Sequence, residues 1–223
     1  MHPVLRGAAA IAIVTTIAGS AQAESPRDTL IRAAFGTHDK AQALALVNEA
    51  IAETRTVSDH EAQLQHALGI GYRGQLTRSP SDAKAAHSAL EAIAAADPRD
   101  AETQVALAGW HLTAVGDLGD FLARALLGAS RAKGLAALDK AVEMGSNRAF
   151  FPAYAALIRI KLDTSDTATA LRLAERAAAT PAPTPLDRIM QRAAARLIPS
   201  LQAGKGDAAA RIAKQLLPFG SIS

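Results

Sequence analysis

Several short strings in this sequence carry residue types that do chemistry in suitable surroundings. Gly69-Ile70-Gly71-Tyr72-Arg73-Gly74 has the glycine spacing of a dinucleotide-binding loop. Such a loop needs a strand before it and a helix after it, so that backbone N–H groups meet a pyrophosphate at the helix start. Here helical patterning precedes the glycines and a turn follows, so the spacing predicts close helix packing. Ser130-Arg131-Ala132-Lys133 sets a serine three residues before a lysine, as in one class of acyl-transfer enzyme. The Ser-Asp-Asn and Lys-Thr-Gly elements that complete that chemistry are absent from the chain, and Ser130 is expected to cap the helix after it. Gly204-Lys205-Gly206 has Pro199 where a phosphate loop needs its first glycine, and is expected to be a turn.

Metal and thiol chemistry find little support. His38, His60, His66, His87 and His111 include no pair at i, i+4 and no HExxH spacing. The chain has no cysteine, which excludes disulfides, thiolate ligands, thiol catalysis and lipidation of an N-terminal cysteine. No metal, no cofactor and no catalytic residue is expected. The best constellation is Trp110-His111 with Asp117, Asp120 and Arg124. Adjacent helical residues diverge by about 100°, so Trp110 and His111 cannot share a face. The expectation is that Trp110 is the support while His111 and Arg124 line a groove, with Tyr72 and Arg73 lining the neighbouring unit. The alternative is that Trp110 sits in the core and Asp117 and Asp120 cap a short helix.

The elements that position these residues are helical. Nearly half the residues are apolar, mostly alanine and leucine, which are strong helix formers that allow close approach. Residues 1–23 read as a signal peptide: Arg6, an uncharged apolar run from Gly7, and Ser20-Ala21-Gln22-Ala23, with cleavage expected after Ala23. That run is shorter than the roughly 20 residues of a membrane span. The mature chain would then be periplasmic or secreted. Removing Arg6 leaves 23 basic and 21 acidic side chains, and neither clustered cations nor stacking aromatics mark a nucleic-acid binder. Apolar residues recur at helical spacing over 27–34, 40–54, 58–77, 82–96, 101–115, 131–144, 150–162, 167–179, 187–202 and 208–217. A glycine-punctuated insert at about 116–130 interrupts them, with a helical turn or two expected from Phe121 to Leu127. Pro199 is expected to kink or end its helix, and Ser58, Ser165-Asp166 and Thr184 to open theirs. No stretch shows strand alternation.

A repeat runs through these helices. Small residues at corresponding positions, Ala43, Ala86, Gly134 and Ala170, each open an apolar ladder on the second helix of a pair. The spacings of 43, 48 and 36 residues between those positions imply helix pairs joined by loops of variable length. Together with Asp97-Pro98, LGIGYRG from Leu68, ALAG from Ala106 and LDKAVEMGSN from Leu138, these residues resemble the tetratricopeptide repeat family. The units are longer than that family's, and most of its aromatic positions are missing. The resemblance implies an all-α solenoid of about five antiparallel helix pairs, forming a single domain over 24–223. WHLTAVGDLGDFLARALLGAS is also similar to uncharacterised alphaproteobacterial envelope proteins and supplies no activity.

Stacked helix pairs create a concave face. The leading expectation is therefore a non-catalytic scaffold that binds a protein or peptide of the cell envelope in that groove. One alternative is a periplasmic small-ligand carrier assisting a transporter, which requires an enclosed pocket near Trp110. Another is an enzyme of cell-wall or glycan chemistry, which would draw on Asp117 or Asp120.

Overall fold

The computed structural model describes residues 24–222, and all regular structure among them is helical. Ten helices follow in order: α1 Pro26–Phe35, α2 Lys40–Thr54, α3 His60–Thr77, α4 Pro80–Ala96, α5 Ala101–Leu127, α6 Arg131–Met144, α7 Phe150–Leu162, α8 Thr167–Ala179, α9 Pro185–Gln202 and α10 Gly206–Leu216. The signal peptide expected over 1–23 lies outside the described residues. No helix among those described is long and apolar enough to cross a membrane.

Helix starts follow from side-chain oxygens that accept otherwise unpaired N–H groups. Ser25, Asp39, Ser79, Asp100 and Ser130 each accept from a backbone N–H in the first turn of the following helix. Thr184 and Asp187 form a reciprocal capping box ahead of Pro185. Some expected punctuation is corrected. Asp59, not Ser58, caps α3 by accepting from Ala62 N–H. Asp166 precedes α8 without a side-chain cap, because its carboxylate is turned toward Arg159. α9 continues through Pro199 to Gln202; the proline forfeits its own i→i−4 bond, and only three helical residues follow it.

The expected insert is the largest correction. α5 does not stop at Val115 but runs on to Leu127, with one break at Gly119 (φ 78°, ψ 160°). Glycine takes that backbone without a Cβ penalty, so the helix changes direction there and resumes. Gly128, in the left-handed region at φ 73°, then ends it.

Each helix from α1 to α9 packs on the next, and α1, α3, α5 and α7 also touch in sequence. The even-numbered helices α2, α4, α6 and α8 back this row, while α9 and α10 pack on α7. Fully buried alanines at the contacts, including Ala43, Ala67, Ala86, Ala108, Ala141, Ala156, Ala174 and Ala213, bring the axes close. The glycine string of α3 has the expected packing role: a Cβ on Gly69 would stand 2.8 Å from Ile51 Cγ1 of α2. One added Cβ on Gly74 would meet the backbone N of Ala83 in α4 at 3.0 Å.

The end of the chain returns to its beginning. Phe219 N–H donates to the Ala34 carbonyl at 2.8 Å, and Ser221 Oγ donates to the Thr37 carbonyl at 3.1 Å. Phe219 meets Tyr72 of α3 edge to face, with ring centroids 5.0 Å apart, and joins the apolar cluster of α1 and α2. Residues 217–222 therefore bridge the last helix and the first.

Candidate functional site, a largely apolar cavity

The inner row of helices surrounds a cavity of about 1400 Å³. Its walls are ladders of side chains at i, i+4 spacing, which the helical period stacks on one face. α3 contributes Leu64, Leu68 and Tyr72, α5 contributes Val105, Gly109 and Thr113, and α7 contributes Phe150, Tyr154 and Ile158. Phe219 covers the side toward α1. Gly109 is required by a close approach, since a Cβ there would stand 2.8 Å from Tyr154 Oη. Burial pushes the Tyr72 hydroxyl up to about 12, and burial also raises Tyr154, so both remain neutral hydrogen-bonding groups at any ordinary pH.

A chain of ion pairs ties the helix starts together at one end. Arg27 of α1 bonds to Glu61 of α3 at 2.6 Å and to Glu102 of α5 at 2.5 Å. Glu102 accepts in turn from Arg148 at 2.5 Å, and Arg148 reaches Asp187 of α9 at 3.1 Å. Arg27 and Glu102 border the cavity. Burial works against the ionised form of Glu102, but Arg27 and Arg148 outweigh it and hold the carboxyl below its usual range. The wholly buried Asp187 is likewise held low against burial, by the Thr184 hydroxyl, the Phe150 and Thr184 N–H groups and Arg148.

Trp110 and His111 are placed the other way round from the expectation. Trp110 borders the cavity, donates from Nε1 to the Ala83 carbonyl at 2.7 Å and stacks on His87 with centroids 4.0 Å apart. His111 is buried beside it, under α6: its ring meets Trp110 edge-on with centroids 5.0 Å apart and His87 at 5.1 Å, and its Nδ1 accepts from Ser130 N–H at 3.4 Å. Burial brings His111 down to about 4, assisted by His87 and Lys133, so its ring is neutral near pH 7. Burial also lowers His87. Arg124 is exposed on the resumed part of α5 and does not border the cavity.

Of the other expected site residues, Tyr72 and Asp117 border the cavity, while Arg73 and Asp120 do not. Arg73 forks onto Asp82 with two bonds of 2.8 Å, locking α3 to α4. Asp117 lies 3.5 Å from Lys161, and Asp120 pairs with Arg131 at 2.9 Å. The two acids thus face different cations and do not cap the resumed helix. Ser130 Oγ accepts from the Lys133 backbone N–H, the expected capping role. Among the described residues, no group of three or more His, Asp or Glu side chains could hold a metal ion.

Sequence reasoning missed the α7 ladder and the returning tail. The signal for the first was present: Phe150, Tyr154 and Ile158 fall at i, i+4, i+8 in the most apolar helix among the described residues. The tail carried none, because nothing local in Leu217-Pro218-Phe219 specifies its distant neighbours. Comparison with protein families, curated proteins and solved structures finds no match for this chain.

Proposed function

We propose that this protein is a non-catalytic binding module of the periplasm or cell exterior. In this reading its helix pairs are a tetratricopeptide-like solenoid folded around a small, largely apolar ligand, and it works beside a membrane transporter. The observation that carries the reading is the largely apolar cavity, with aromatic and aliphatic ladders on its walls and an ion-pair chain at one end. Small-molecule sites are typically concave and mainly apolar, with a few polar groups that fix orientation. A peptide groove needs a long open face, and the bridge that residues 217–222 make from α10 to α1, with Phe219 bordering the cavity, supports the small-ligand reading over it. Trp110 is the only tryptophan and borders the cavity, so its emission reports occupancy. Titration with an apolar fluorophore should shift the Trp110 emission saturably, and Ile158→Phe should weaken that binding by filling the space. A fluorophore that binds equally well to both forms would argue against the cavity as the site.

A second reading, a protein or peptide partner in the cell envelope, is favoured by one observation. Beyond Gly119, Phe121 is 82% exposed, Leu122 48% and Leu126 53%, an apolar knuckle that the fold leaves uncovered. A photo-crosslinker at position 121 would give a discrete adduct in envelope extract if a protein seats there, and none otherwise.

A further inference from the structure

The charges bordering the cavity are unevenly matched. At the end that joins the helix starts, Arg27 is taken up by Glu61 and Glu102. Lys161 lies beside Asp117. Four further cations border the cavity, Lys40, Arg78, Arg211 and Lys214, and among the described residues none lies within ion-pair distance of a carboxylate. The one other acid bordering the cavity is Asp207, in the first turn of α10, where a helix start already favours negative charge. All four unmatched cations are solvent-exposed, which puts the surplus charge at the rim and not in the interior. A rim with a surplus of positive charge around low-dielectric walls focuses its field on the opening.

Arg78 is held in place at that rim: it closes α3 in the left-handed region (φ 57°), with its N–H on the Gly74 carbonyl. The interior offers Gln65 and the neutral Tyr72 and Tyr154 hydroxyls, but no unpaired charge. A charged head pushed inside would lose its hydration without compensation. The space of about 1400 Å³ exceeds the roughly 300–1,000 Å³ of ordinary small-molecule pockets, which suits a long apolar body.

We infer that the ligand is an anionic amphiphile, a long-chain carboxylate, whose chain fills the cavity and whose head stays at the rim beside Arg78 and Arg211. This rests on the cavity being the binding site, as proposed above. The test uses three probes with the same chain, dodecanoate, dodecyltrimethylammonium and dodecyl maltoside, each below its micelle concentration and followed by Trp110 emission and by calorimetry. Dodecanoate should bind at least tenfold more tightly than the cationic probe, and the preference should shrink as salt is raised. In Arg78→Glu/Arg211→Glu, dodecanoate should weaken at least tenfold while the maltoside is unchanged; Arg78→Lys/Arg211→Lys should retain most of the binding. Both arginines are exposed, and a matching melting profile would confirm that each variant is folded. Equal binding of all three probes, a preference for the cation, or dodecanoate binding that survives charge reversal would overturn the assignment and leave the cavity reading standing. Failure of all three probes to bind would overturn both.

Discussion

Glu102→Gln is the sharpest perturbation of the ion-pair chain, because Glu102 is its central acid. Its two oxygens accept from Arg27 and Arg148, each at 2.5 Å, and its side chain is 21% exposed. Glutamine keeps the shape but turns one acceptor into an N–H₂ group facing a guanidinium, so a donor meets a donor. Arg27 retains Glu61 and Arg148 retains Asp187, so neither cation is left wholly unpaired. Breaking a fully buried pair costs about 3–5 kcal/mol, and exposed pairs are worth about 0–1 kcal/mol. For a site exposed by a fifth, the expected loss is about 2 kcal/mol, or about 4–8 °C in melting temperature for a domain of this size. The control is Glu61→Gln, where the side chain is 51% exposed and the loss should stay below about 0.5 kcal/mol. Urea unfolding at pH 7 measures both. The acid limb supplies a second check. Glu102 is held below its ordinary 4.5, so its contribution is present above that value and is lost as pH falls through the lower folded value. Glu102→Gln should therefore flatten the stability profile below pH 4.5. Equal losses for the two variants, or an unchanged acid limb, would refute the central role given to Glu102.

His111 titrates at about 4 in the fold instead of 6.5, so the unfolded chain binds the additional proton between those values. Stability should fall by up to about 3 kcal/mol as pH drops from 6.5 to 4, and thermal melts of His111→Gln should lack most of that loss. Gly134→Ala would set a Cβ 2.6 Å from Leu112 Cδ2, on a side chain that is wholly buried. Overpacking of about 1–3 kcal/mol should outweigh the helix-propensity gain of about 1 kcal/mol, giving a net loss in chemical denaturation. Phe219→Ala should cost about 3 kcal/mol and speed amide exchange in α1, because the ring anchors residues 217–222 between Tyr72 and Ala34. Phe121→Ser, at a side chain 82% exposed, should leave stability within about 0.5 kcal/mol, as thermal melts would show.

How much of this was legible in the sequence differs between helices and site, for reasons visible at single residues. Helix bounds were readable where a side chain marks them: Lys40–Thr54 and Phe150–Leu162 match their apolar periodicity, and Ser79, Ser130 and Thr184 cap as their types suggest. Gly116 misled because glycine is both a breaker and a packing residue. Here it packs, with its Cβ position 3.2 Å from Leu162 Cδ2, and the chain turns three residues later at Gly119.

The exchange of Trp110 and His111 has a deeper cause. A helix with one buried stripe reveals its inner face through its pattern, but α5 is covered twice, by its neighbours α4 and α6 and by the cavity wall. The 100° between the two residues says that their Cα–Cβ bonds diverge, and nothing local says that both rings come back together on His87 of α4, with their centroids 5.0 Å apart. What decides is a contact 23 residues away: Gly134 lets α6 approach so closely that its Cβ position lies 3.0 Å from His111 Cβ. The close approach of α6 leaves little room for an indole, and an imidazole can sit there with Ser130 N–H on its Nδ1. Enlarging position 134 should therefore disturb His111 and, through it, the rings it touches. In Gly134→Val the titration of His111 should move upward toward 6.5, and the emission of Trp110, whose ring lies 5.0 Å from His111 and stacks on His87, should shift with it. An unmoved His111 would contradict the packed role given to this face of α5.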